Sequence, residues 1–195
     1  LYDLVGMSNG PILLAMGYPE VGDLLRILEE KLQSFLPRLL AIPADVSYSP
    51  DNLDRQFIAP AVFDEHLADS YGRTVATLGE TPLVVHAGGP VRDLLAPLKA
   101  AGVKAVEGVC GPPQSDASLS ESRVVAGDGL ALWGGIAQDM LLDTHDRDAF
   151  EKAVADAVGE ARGDDGMILG VADRVPVEAR IDRLEAIVSR VRSAS

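Results

Sequence analysis

Three side chains able to do acid–base or metal chemistry stand at comparable places along this chain, His86 and Asp173 closing short apolar runs and Glu107 lying within one. His86 closes Leu83-Val84-Val85 and is followed by Ala-Gly-Gly. Glu107 lies in AVEGVC, an acid among apolar neighbours, and such an acid needs a metal, a cation or its own proton as partner. Asp173 ends MILGVAD and reads either as an active-site carboxylate or as the N-cap of a following helix. An imidazole near carboxylates can carry a proton around neutral pH. One ring nitrogen and two carboxylate oxygens are also donors that Zn2+ accepts. His86, Glu107 and Asp173 are therefore candidate metal ligands, and Glu107 and Asp173 candidate catalytic carboxylates. In ADVSYSPDN, Tyr48 is a candidate catalytic hydroxyl, and Asp45 and Asn52 are candidate substrate contacts, although Asp51 and Asn52 also suit a plain turn. Cys110, in a Gly-Pro-Pro loop, is a further candidate substrate contact or else a small buried hydrophobe. His66 and His145 read as helix and loop histidines without a role.

The elements that must position these groups follow a steady alternation. Apolar residues at helical spacing mark helices over 19–40, 60–79, 91–98, 117–126 and 146–162. A last helix is read in PVEARIDRLEAIVSRVR, with Pro176 at its start. Short runs apolar on both faces mark strands over 41–48, 83–85, 103–109, 130–136 and 167–173. Such strands separated by helices imply parallel pairing and right-handed βαβ units. No GxGxxG or GxxxxGK[ST] loop is present, so a nucleotide-binding doubly wound sheet is disfavoured. Polar residues and glycines recur instead at strand ends, as the catalytic face of a (β/α)8 barrel requires. A whole barrel takes roughly 250 residues. The 195 residues are thus expected to be one α/β domain, an incomplete (β/α)8 TIM barrel holding the C-terminal five or so βα units. Its outer strands would then present unpaired edges.

Composition narrows the partners. Lys plus Arg number 17 against 30 Asp plus Glu, a net charge of −13 that repels nucleic acid and anionic membranes. No apolar run reaches the roughly 18 residues of a membrane span. The single cysteine excludes an internal disulfide and agrees with a reducing, cytoplasmic setting. A small-molecule substrate is the partner class left.

Several segments carry a resemblance to the uroporphyrinogen decarboxylase superfamily, which includes cobamide-dependent methyltransferases. DNLDRQFIAPAVFDEHL precedes a long helix, LVVHAGG is similar to the family's strand ending in His-x-Cys-Gly, and LWGGIAQDML is similar to its Gly-Asn-x-Asp-Pro turn. ILGVADRVPVEARIDRLEAIV is similar to the closing strand and helix. The resemblance implies a (β/α)8 barrel and, since His86 is kept, the methyltransferase branch. In that branch a His-x-Cys pair and a later cysteine hold zinc; here Gly88 stands at the first cysteine, and Val171 and Ala172 lie near the second. The implied activity is metal-assisted methyl transfer to or from a corrinoid, the cobamide being substrate or carried by a corrinoid protein. The alternatives are metal-free decarboxylation in porphyrin biosynthesis, needing no cofactor, and a non-catalytic barrel that binds a corrinoid or a partner.

Overall fold

In the computed structural model, which describes residues 2–6, 8–112 and 114–194, helices and strands alternate after a helical N-terminal segment. In chain order they are α1 (Tyr2–Val5), α2 (Asn9–Met16), α3 (Pro19–Leu39), β1 (Ser47–Leu53), α4 (Pro60–His66), α5 (Ala68–Leu78) and β2 (Leu83–Ala87). Then come α6 (Arg92–Ala100), β3 (Ala105–Cys110), α7 (Leu119–Ala126), β4 (Ala131–Ala137), a 3-10 turn at Gln138–Leu141, α8 (Arg147–Ala161), β5 (Met167–Ala172) and α9 (Ile181–Ala194). A serine–glutamate capping box, Ser118 with Glu121, opens α7, and Asp146 caps α8 through the Ala149 amide. These caps satisfy helix-end N–H groups that the backbone ladder leaves free.

The five strands form one parallel sheet in the order β1-β2-β3-β4-β5. Each strand lies beside the next in sequence, with no reversal of direction across the sheet. Right-handed crossovers then place every connecting helix on the same face. That is the winding of a barrel wall, not of a doubly wound sheet, and the chain is part of a (β/α)8 barrel. Leu83, Val85, Val106 and Leu132 face the helices and pack with Phe63, Leu94, Leu95, Leu98 and Phe150, all buried. Each such side chain contributes roughly 1.5–3 kcal/mol when fully removed from water. Alternation along the strands puts Tyr48, His86, Glu107 and Trp133 on the other face.

Three boundaries differ from the expected ones. The first strand runs from Ser47 to Leu53 rather than over 41–48. Pro43 offers no amide to a ladder, and pairing begins where the Ser47 amide donates to the Pro82 carbonyl at 2.9 Å. Pro50 is tolerated because β1 is an edge strand, and a register shift between Ser49 and Leu53 accommodates Asn52 at φ 53°. The segment read as one helix over 60–79 breaks at Leu67 into α4 and α5. Finally, Pro176 does not start the last helix: residues 174–180 form a loop, and α9 begins at Ile181. Asp173 is therefore not a helix cap.

Candidate functional site

The neighbouring strands β2 and β3 set the centre of the site by register alone, since His86 pairs with Glu107 across the ladder. Both side chains are almost wholly buried, 11% and 8% exposed. His86 Nδ1 lies 2.5 Å from Glu107 Oε2. The Tyr48 hydroxyl, from β1, donates to the same oxygen at 2.9 Å. Gly108 makes this approach possible. Its φ is +92°, a Cβ there would stand 2.1 Å from the Ala87 carbonyl oxygen, and the register with β4 shifts just after Glu107.

Asp173 comes to the other side of the ring from the end of β5, with Oδ1 at 3.5 Å from His86 Nε2. Its φ is 70°; Asn52 and Asp173 are the non-glycine residues with positive φ among those described. Such residues concentrate at functional sites because the surrounding structure must hold them there. Gln138 Nε2 donates to Asp173 Oδ2 at 3.2 Å, and the Gln138 amide donates to Gln114 Oε1 at 3.1 Å. The imidazole thus stands between two carboxylates.

The electrostatics follow from that placement. The hydrogen bond to Glu107 raises the His86 pKa above its ordinary value, burial opposes the rise, and the charges of Glu107, Asp173 and Asp51 add to it. Burial, with Glu107 and then Asp173, also pushes the Tyr48 hydroxyl upward, so it stays a donor. The placement therefore favours the protonated ring over the neutral one.

The other expected site residues part company with this cluster. Asp45 precedes β1 and is exposed at the opposite, N-terminal end of the sheet, so the substrate contact expected of it is not placed at the site. Once the strand begins six residues later than read, that displacement follows. Cys110 is fully buried at the end of β3 against Ala137 and Ala172, its thiol pushed up to about 12 by burial and by Asp139 and Asp173. It is the small buried hydrophobe, not an accessible contact. Asn52 does reach the site's edge, packed on the glycine after the His86 strand. A Cβ at Gly88 would stand 1.9 Å from Asn52 Oδ1, so the cysteine position of the resemblance cannot be filled without moving Asn52. His66 lies 3.8 Å from Glu65, and His145 lies 3.0 Å from Asp139, both outside the cluster.

The zinc set expected of His86, Glu107 and Asp173 does not fit. Glu107 Oε2 is committed to His86 Nδ1 and Tyr48, so Glu107 braces the ring instead of sharing a metal with it. Among the described residues, no group of three or more His, Cys, Asp or Glu side chains is arranged to hold a metal ion.

Two residues of the assembly escaped the sequence reading. Gln138 follows a strand end, the one signal that could have flagged it. Arg183 sits on α9 among other charged residues and looks like a surface arginine, yet it is 5% exposed. It donates to the carbonyls of Met140, Leu142 and His145 at 2.5, 2.7 and 2.6 Å, with its guanidinium 5.1 Å above the Phe150 ring.

A barrel-wall sheet with its polar cluster at the strand ends agrees with a sequence match over residues 7–194 to the uroporphyrinogen decarboxylase (URO-D) family. The chain belongs to this family. No curated protein matches it at a significant level. Among solved structures, the URO-D-family chain is similar to a methyltransferase from Methanosarcina mazei, with a TM-score of 0.67 and 18% identity. That likeness covers 89% of this chain and 49% of the other, so the chain spans about half the length of its structural neighbour. Among the described residues, no helix is long and apolar enough to cross a membrane.

Proposed function

We propose that this URO-D-family chain works in methyl transfer from a methylated heteroatom of a small molecule to a corrinoid, with His86 as the proton donor. The observation that carries this reading is the imidazole held between Glu107 and Asp173 with its pKa raised. The fold likeness to a methyltransferase supports it. A reduced cobamide, presented by a partner corrinoid protein, would supply the nucleophile. As the methyl–heteroatom bond breaks, its electron pair stays on the heteroatom, and His86 Nε2 gives that atom its proton. Glu107, bonded at Nδ1, stabilises the imidazolium beforehand and fixes the ring. Tyr48 donates to Glu107 and so holds the carboxylate in place. A histidine poised as an acid favours transfer to the corrinoid over transfer from it to a thiol, which would need a base. Zinc has no step in this account.

Decarboxylation of a polycarboxylate ranks second. What ranks it second is the histidine held between two carboxylates, which offers a proton donor where a substrate carboxylate would meet like charge. The test uses the protein with free cob(I)alamin and a panel of methyl ethers, thioethers and methylamines, followed by the visible spectrum of the cobalt. Methylation is expected with at least one donor class, and His86→Gln should slow it roughly 100- to 10,000-fold, the range of a general acid. Turnover of a porphyrinogen carboxylate, or methylation that His86→Gln leaves unchanged, overturns the reading.

A further inference from the structure

Asp173 poses a mechanical question. It occupies a backbone conformation that non-glycine residues rarely adopt, at φ 70°, and its side chain is 26% exposed. Asp173 lies one residue beyond β5, so the strand ladder does not fix its side chain. An aspartate so placed turns freely about its side-chain bonds unless one oxygen is pinned.

Gln138 pins it. Its side-chain amide donates to Oδ2 at 3.2 Å, which leaves Oδ1 facing His86 Nε2 at 3.5 Å. Gln138 is itself fixed from two sides. Its backbone amide is held by Gln114 Oε1 from the loop after β3. Arg183 clamps the loop the turn opens, through the Met140 carbonyl within the turn and those of Leu142 and His145 just beyond it. The Arg180 amide adds a bond to the Leu141 carbonyl at 2.8 Å. The loop after β4 is therefore a braced arm whose tip touches Asp173.

We infer that Gln138 is a positioning residue, holding Asp173 over His86 Nε2 from an arm that Arg183 anchors. The inference rests on the proposed role of His86 as proton donor. Gln138 does not touch the reacting atoms. It acts by keeping the second carboxylate where the charged ring needs it, and geometric errors near 1 Å cost up to about 100-fold in rate.

Gln138→Met keeps the length and removes the donor. The decisive readout is spectroscopic, the Nε2 signal of His86 in protein carrying nitrogen-15 histidine, with His66 as the internal reference and His86→Gln to assign the peak. Gln138→Met should move the His86 signal in the same direction as Asp173→Asn, leave His66 in place, and lower kcat with little change in KM. Arg183→Met should move the same signal partway. An unmoved His86 signal in Gln138→Met, while Asp173→Asn moves it, overturns the inference, whatever happens to kcat. If the signal moves but no methyl donor is turned over even by the wild type, the positioning role stands and the methyl-transfer reading falls.

Discussion

Replacing Glu107 by glutamine tests what raises the His86 pKa. The change preserves shape and one acceptor oxygen but removes the negative charge from a pair whose side chains are 11% and 8% exposed. A hydrogen bond between charged groups contributes about 1.5–3 kcal/mol, and so little solvent reaches this pair that screening takes away little of it. The sign of the pH dependence is fixed by His86. Its folded pKa lies above the unfolded value of about 6.5, so the stabilisation is fully present below about pH 6.5 and disappears as pH rises through the folded pKa. Glu107→Gln should therefore cost about 1.5–3 kcal/mol near pH 5.5 and clearly less near pH 9. For a chain of this size that corresponds to roughly 3–12 °C in Tm at the acid end. Urea unfolding followed by fluorescence suits the measurement, because Trp133 is the single tryptophan and pairs in register with Glu107. The ring should lose its elevated pKa in the variant, leaving burial to oppose protonation with only the more distant carboxylates against it. A loss of the same size at both pH values, or one below about 0.5 kcal/mol at the acid end, would refute the reasoning.

Two further outcomes follow from the geometry. Cys110, with its thiol wholly buried and raised to about 12, should resist a thiol reagent in the native protein and react fully once urea unfolds the chain; rapid native labelling would show that the end of β3 is open. After chelation and reloading, zinc should remain well below one per chain, since Glu107 is committed to His86 and Tyr48; stoichiometric zinc lost in His86→Ala would reverse that expectation.

The parts of the site that lay on regular strands could be read before any coordinates. His86 closed an apolar run and Glu107 stood alone as an acid inside the next one, and parallel pairing of successive strands sets the two side by side. Asp173 was ambiguous only because Pro176 suggested a helix start, and the loop over 174–180 removes that option. The misplacement of β1 had a different origin. AIPADVSY is apolar enough for a strand, but hydrogen bonding begins at Ser47, and the edge position admits Pro50 and the turn-forming Asp51 and Asn52 within β1. Asp45 was lost to the site and Tyr48 kept for that reason. Gln138 and Arg183 were not legible because their importance comes from partners far away in sequence, 35 residues for Asp173 and 38 to 43 for the carbonyls under Arg183. No local pattern distinguishes a buried clasping arginine from its exposed neighbours on a charged helix.

The two sides of His86 are built differently, and this has a consequence for how such a site can change. Glu107 is held by the ladder itself, the register of β2 on β3 backed by packed helices, so that side behaves like the fixed jaw of a vice. Asp173 hangs from a strand end and answers to the braced loop after β4, so that side is the adjustable jaw. Substitutions or insertions in the loop can move the second carboxylate without disturbing a strand. Changes in that loop would reset the carboxylate beside Nε2 while leaving the His86–Glu107 pair where the strands hold it.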